Sequence, residues 1–254
     1  MTGGAGGIGG AVVRSFAAAG HPVTLTHLGD AAAAAALLAE VRALSPEAEV
    51  TAMESDAGDE GAVAEVVAAV RPLVVVHAAG FARDGVVWKQ DVADLDAMLR
   101  VHVRGAWLLL HHAAPVMRAA GFGRFVFLGS INGLRGKFGQ TAYAAAKAAL
   151  GGMARSAARE LGRFGVTVNV VAPGWVDTPL TAGLPPKHRE RARAECPTGR
   201  LTTPEDVAAV VAFLASDLAG QVTGHELPVD GGQLLGMPAP LPRTPTHSAP
   251  EPRP

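Results

Sequence analysis

The chain has 254 residues, 49% hydrophobic and 18% charged, with a formal net charge of -1. That length and apolar share suffice for one sizeable core, most simply a single domain, and the near-neutral balance disfavours nucleic acid or an anionic membrane as partner. A lone cysteine, Cys196, excludes an internal disulfide and a multi-cysteine metal site, so no metal is expected and a reducing cytoplasm is the default compartment.

In chain order, a glycine-rich opening, "MTGGAGGIGG", leads into a predicted helix over 8–19. Strands are then expected at 22–27, 49–53, 73–77, 124–129, 166–171 and 226–229, each short, largely β-branched and bounded by Gly, Pro or charge. Helices are expected between them at 31–44, 59–70, 91–119, 142–163 and 204–216. Alternation of this kind predicts an α/β fold, a doubly wound parallel sheet with helices on both faces. No apolar run approaches the roughly 20 residues that span a bilayer, and none reads as a signal peptide. Residues 1–236 form the expected domain, and the Pro-rich segment 237–254 reads as a disordered tail.

Three features carry chemistry. Gly3, Gly7 and Gly9 are spaced like a turn entering a helix, where a pyrophosphate can approach backbone N–H groups, though a glycine-rich chain also makes such turns by chance. Tyr143, the only tyrosine, stands four residues before Lys147, so on a helix the two share a face. An ammonium about 4 to 5 Å from the phenol favours phenolate by roughly 3 to 4 kcal/mol at an effective dielectric near 20, making Tyr143 a general acid or base; a core aromatic beside a surface lysine is the plainer alternative. Ser130 follows the apolar run "RFVFLG" and so stands at the carboxyl end of a parallel strand, where open α/β sheets bind ligands.

Together these features resemble the short-chain dehydrogenase/reductase family, from Thr2 to about Gly236. "TGGAGGIG" resembles its TGxxxGxG cofactor loop, "HAAG" its NNAG segment, "GSING" with "YAAAK" its Ser and Tyr-x-x-x-Lys group, and "APGWVDTPL" its PG segment. "GKFGQTAYAAAKAAL" and "TGHELPVDGG" look like the 3-oxoacyl-(acyl-carrier-protein) reductase and acetoacetyl-CoA reductase branch.

The resemblance implies a Rossmann-like domain in a homotetramer. It implies catalytic roles for Tyr143 as proton donor, Lys147 as its partner and ribose ligand, and Ser130 as carbonyl ligand. His102 replaces the family's Asn in a proton relay. Cofactor contacts fall on Thr2, Gly3, Gly7, Ile8, Gly9, His27, Leu28, Asp56, Ala79, Gly80, Pro173, Gly174, Val176 and Thr178. Asp56 has a second reading as a helix cap before 59–70. His27 stands where NAD-selective members carry Asp, and Leu28 where many NADP-selective ones carry Arg, so NADPH is expected with NADH as second choice. His77 and Ala78 replace the paired asparagines of NNAG.

The implied reaction reduces a 3-oxoacyl thioester, carried by CoA or an acyl carrier protein. Segment 181–203 matches the family's substrate lid, and its Lys187, Arg189, Arg191 and Arg193 suit an acidic carrier protein. The alternatives are a broad ketone or alcohol oxidoreductase on free small molecules and a noncatalytic nucleotide-binding subunit. Met1 takes the place of the last residue of the family's first strand, so that strand is expected to be missing, with its neighbours unpaired and the glycine loop unanchored. A start recorded too late at an internal valine codon would explain it.

Overall fold

The computed structural model describes residues 1–178, 181, 183 and 186–236. The Pro-rich segment 237–254 lies outside them, as do lid positions 182, 184 and 185. Six strands, β1 (Val23–His27), β2 (Val50–Glu54), β3 (Val74–His77), β4 (Gly123–Leu128), β5 (Val166–Pro173) and β6 (Glu226–Val229), all pair in parallel. Every residue of β4 and β5 is buried, which explains their unbroken apolar runs: a strand covered on both faces has no solvent side for polar residues.

The helices divide between the two faces. Helices α1 (Gly7–Ala18) and α9 (Pro204–Ala215) cover one, through Val12, Val207 and Leu214 against Val126, Leu128 and Val171. On the other, α3 (Glu60–Val70), α5 (Gly105–Ala120) and α7 (Thr141–Leu161) pack Val67, Leu108, Met117 and Leu150 onto Phe125 and Phe127. Helix α2 (Ala31–Leu44) closes the β1–β2 side through Leu37 and Val41.

The β1–β2 pair and the β3–β4–β5–β6 sheet are joined by the chain's first residues. Thr2 bridges in parallel to Thr26 of β1 and to His77 of β3. Its N–H donates to Val76 C=O at 3.0 Å, its C=O accepts from Ala78 N–H at 3.2 Å, and Met1 C=O accepts from Thr26 N–H at 2.7 Å. The expectation of an unanchored loop is therefore corrected: two residues anchor it from both sides. Apart from that bridge β1 and β3 are unpaired, and Met1, Thr24, Val67, Val74 and Val76 line a groove there.

Two local departures bear on the site. The helix expected over 91–119 is α4 (Val92–Met98) and α5 with a π-helical segment, Leu99–Arg104, between them. The wider turn buries His102 in the protein, a placement that a regular 3.6-residue period does not signal. A short helix, α6 (Ile131–Arg135), follows β4 and is capped by Ser130, whose hydroxyl accepts from Asn132 N–H at 3.1 Å. In the lid region, α8 spans Pro186–Ala194. No helix among the described residues is long and apolar enough to cross a membrane.

The bridge also has a side-chain component: Thr2 Oγ1 lies 2.8 Å from His77 Nδ1 and accepts from Ala79 N–H at 3.3 Å, with Thr2 and His77 both buried. Thr2→Val, which keeps the shape and removes the hydroxyl, should cost about 1 to 3 kcal/mol because it strands a buried imidazole nitrogen. Urea denaturation should show a lower midpoint at unchanged slope, and Thr2→Ser should recover most of the loss.

Candidate active site

The residues singled out from sequence gather at the carboxyl edge of the sheet. Gly3 follows the Thr2 bridge, His27 and His77 end β1 and β3, Ser130 follows β4 and Pro173 ends β5. Parallel strands place their following loops together there, and the crossover between β1 and β3 opens the crevice where such sheets bind ligands.

Helix α7 brings Tyr143 and Lys147 onto one face, one turn apart. Lys147 is buried, its Nζ donates to Leu128 C=O at 2.6 Å, and it lies 5.7 Å from the centre of the Tyr143 ring. Burial lowers its pKa to about 7, so its proton is exchangeable near neutral pH. The expected depression of the phenol is corrected by this geometry. Burial pushes the Tyr143 pKa up, a hydrogen bond with Ser130 opposes that shift, and the Asp84 carboxylate adds to it. The lysine supplies no opposing pull here because burial weakens its own charge. Ser130 Oγ accepts from Asn132 N–H, which leaves its single O–H to donate into the site.

Two buried histidines stand behind this group. Thr2 Oγ1 joins His77 Nδ1 at 2.8 Å while it accepts from Ala79 N–H at 3.3 Å. His102 Nε2 lies 2.8 Å from Phe81 C=O, and that shorter contact makes it the protonated nitrogen. His102 Nδ1 is then an acceptor, buried and without a partner among the described residues. The His102 ring meets Tyr143 edge to face at 5.7 Å. A Cβ on Gly80 would fall 2.1 Å from His102 Cε1, so the bulky imidazole is accommodated only because that position is glycine.

The glycine loop fits an anion. Gly3 has φ +65, and a Cβ there would lie 2.6 Å from Ala79 N; one on Gly9 would lie 2.2 Å from Gly3 C=O. The first helical bond of α1 runs from Gly10 N–H to Gly6 C=O, so the N–H groups of Gly7, Ile8 and Gly9 precede it without helical partners. Gly6 supplies no side-chain cap and the first turn carries no acidic residue, which leaves the positive helix end open to a phosphate.

Residues 3–233 match the family model described as Enoyl-(Acyl carrier protein) reductase. The chain belongs to the short-chain dehydrogenase/reductase family. It is 39% identical to 3-oxoacyl-[acyl-carrier-protein] reductase MabA of Mycobacterium tuberculosis, over 93% of this chain and 92% of that protein. It is 36% identical to the acetoacetyl-CoA reductase of Shinella zoogloeoides, over 92% of this chain and 97% of that protein. A short-chain type dehydrogenase/reductase from Mycobacterium ulcerans superposes with a TM-score of 0.89 at 32% identity, over 92% of this chain and 88% of that one. The protein is thus an oxidoreductase of a family that uses a nicotinamide cofactor, built on a Rossmann-like sheet.

Within this short-chain dehydrogenase/reductase the remaining candidate positions separate. Asp56 does not cap α3, because Asp59 does so by accepting from Ala62 N–H at 2.8 Å. Asp56 instead accepts from Gly58 N–H and pairs with Arg100 at 2.6 Å, an arrangement that lowers its pKa against the effect of burial. His27 is half-buried at the end of β1, while Leu28 is 62% exposed. Gly174 lies so close to the following turn that a Cβ would meet Asp230 at 2.7 Å. Val176 C=O and Thr178 N–H are both taken up by the Thr181 hydroxyl, at 2.8 and 2.9 Å.

Sequence reasoning missed four polar residues. Glu54, opposite His27 in register, accepts from Gly29 N–H at 3.3 Å beside the loop after β1. Asp84, Gln140 and Asn132 form a bonded series that ends beside Ser130. Nothing in their spacing marks them, since they come from three separate segments that only the fold brings together.

The two histidines set an acid limit. Burial, reinforced by Lys147, lowers His77 from 6.5 to about 4 and His102 from 6.5 to about 3. The unfolded chain therefore binds more protons below pH 6.5, so stability present above that value falls as pH drops towards 4 and then 3. His102→Asn should flatten this decline, measured as denaturation midpoints between about pH 7 and pH 4.

Proposed function

We propose that this short-chain reductase is an NADPH-dependent ketoreductase that converts a 3-oxoacyl thioester, carried by an acyl carrier protein or CoA, into the 3-hydroxyacyl thioester. The observation that carries the reading is the Ser130, Tyr143 and Lys147 group at the carboxyl edge, next to a helix end shaped for a pyrophosphate. Relatives named as reductases of 3-oxoacyl and acetoacetyl thioesters support the substrate class.

Bound reduced nicotinamide supplies the hydride for this chemistry. The loop N–H groups of Gly7, Ile8 and Gly9 would hold its pyrophosphate, Asp56 its adenine, Lys147 its ribose, and Val176 with Thr178 its carboxamide. Ser130 donates its O–H, which otherwise faces Tyr143, to the ketone oxygen and fixes its position. Tyr143, kept protonated by burial, gives its proton to that oxygen as negative charge develops there. Lys147, poised near pH 7 and one helical turn away, then supplies a replacement proton. His102 is neutral at this pH and holds the Phe81 backbone, so its support for the relay comes through position.

Absence of a carboxylate at His27 leaves room for a 2′-phosphate and supports NADPH, whereas Glu54 on the neighbouring strand keeps one negative charge nearby. NADPH should outperform NADH in kcat/KM, and Glu54→Gln should widen the ratio; comparable efficiency with both cofactors refutes the preference. Tyr143→Phe should lower kcat by at least roughly 100-fold while leaving NADPH binding by fluorescence titration intact. Retained turnover removes Tyr143 from the mechanism.

Carrier docking also narrows. Arg189 pairs with Asp177 at 2.8 Å and Arg193 donates to Gly199 C=O at 2.7 Å, so both are engaged within the protein. Lys187 and Arg191 are exposed on α8, Arg191 with Glu195 beside it at 3.6 Å. Charge reversal of those two should raise KM for a carrier-bound 3-oxoacyl substrate several-fold and leave a small ketone ester unaffected. Equal effects on both substrates refute docking at α8.

A further inference from the structure

The mouth of the site holds a carboxylate that the mechanism above does not use. Asp84 is exposed on the loop that follows Gly80, and both its oxygens accept from Gln140 Nε2, at 2.9 and 3.0 Å. The same loop is fastened again by Gly85 N–H to Gly139 C=O at 2.8 Å. Gln140 is buried three residues before Tyr143, and its Oε1 accepts from Asn132 Nδ2 at 2.9 Å. Asn132 N–H in turn donates to Ser130 Oγ. A continuous series of hydrogen bonds therefore fixes Asp84 relative to the two groups that would grip the ketone oxygen.

No cation among the described residues forms an ion pair with the Asp84 carboxylate. Its neighbour Arg83 is paired with Asp94, Lys137 lies over the Trp175 ring at 5.3 Å, and Lys147 is turned onto Leu128 C=O. His102, packed against Tyr143, is neutral near pH 7. Gln140 is itself neutral, so its amide orients the carboxylate without cancelling it.

We infer that Asp84 is a specificity-determining residue, a fixed negative charge at the mouth that turns away ketones bearing a carboxylate near the carbonyl and admits neutral ones such as thioesters and esters. The inference deepens the proposed function and rests on it for the identity of the reaction. A free 3-oxo acid places its carboxylate two bonds from the carbonyl being reduced, where it meets the field of Asp84. A thioester at the same place carries no charge and meets no such repulsion. The same field favours the protonated phenol, so one residue serves both substrate choice and the proton that reduction consumes.

Acetoacetate and ethyl acetoacetate test this as an anionic and a neutral ketone of nearly equal size. The intact protein should prefer the ester, and Asp84→Asn, which keeps an acceptor for Gln140, should shrink the ratio of kcat/KM values about fivefold, the size of one unit-charge interaction at high effective dielectric. The gain for the anion should fade with added salt. A merely structural role would change both substrates by the same factor, and that result overturns the inference. If the intact protein reduces neither ketone, the reductase reading fails while Asp84 stays testable. Tyr143 is the only tyrosine, so its phenolate absorbance isolates one group, and Asp84→Asn should lower its titration midpoint. An unmoved midpoint also overturns the inference.

Discussion

Everything at the site depends on the way Met1 and Thr2 join two halves of a sheet. Parallel strands β1 and β3 have no direct pairing, and the backbone of two residues closes the gap between them. Thr2 spends its N–H and C=O on β3 while Met1 C=O reaches β1, so the chain alternates between its neighbours as a central strand does. Because the glycine loop leaves directly from this point, its position relative to β3 and β4, and hence to Ser130, is set by those few hydrogen bonds. The Thr2 hydroxyl adds a connection to His77 and thereby ties the loop to the buried polar layer beneath the site.

That layer explains how a π-helical segment and a histidine can stand where a simpler helix with a smaller side chain would suffice. The widened turn at Leu99–Arg104 delivers His102 between Gly80, Phe81 and Tyr143. Accommodation is steric on one side, through the missing Cβ of Gly80, and polar on the other, through Phe81 C=O. A charged imidazole would face Lys147 without a counter-ion, so burial and the lysine together hold the ring neutral. His102 thus keeps a fixed orientation rather than cycling protons through its ring at neutral pH.

Much of this was legible in the sequence because it rests on local periodicity. All six strands and the helices over 7–18, 31–44, 60–70, 141–161 and 204–215 fall within one or two residues of their expected places, since apolar runs bounded by Gly, Pro or charge mark them directly. The group of Ser130, Tyr143 and Lys147 was equally readable from its spacing. The π-helical segment was not, because one extra residue per turn leaves no compositional trace. Direction of the phenol's shift differs from the expectation because it is set first by burial of Tyr143 itself, a tertiary property. Asp84, Gln140 and Asn132 escaped for the related reason that their association exists only after three separate segments meet.

The electrostatics of the site then follow from a contest between burial and few charges. Lys147 loses charge to burial, His77 and His102 are neutral, and the phenol is pushed up by its surroundings and by Asp84. In this balance Tyr143 holds its proton, the state needed by a group that donates during reduction. The reverse direction, in which Tyr143 must accept a proton from an alcohol, needs phenolate and is opposed by the same terms. A nicotinamide bearing positive charge on its ring would favour phenolate when bound in oxidised form, so the charge of the cofactor itself can shift the group between the two roles. For a ketoreductase acting as proposed, the protonated resting state of Tyr143 owes more to its burial and to the Asp84 carboxylate than to the lysine.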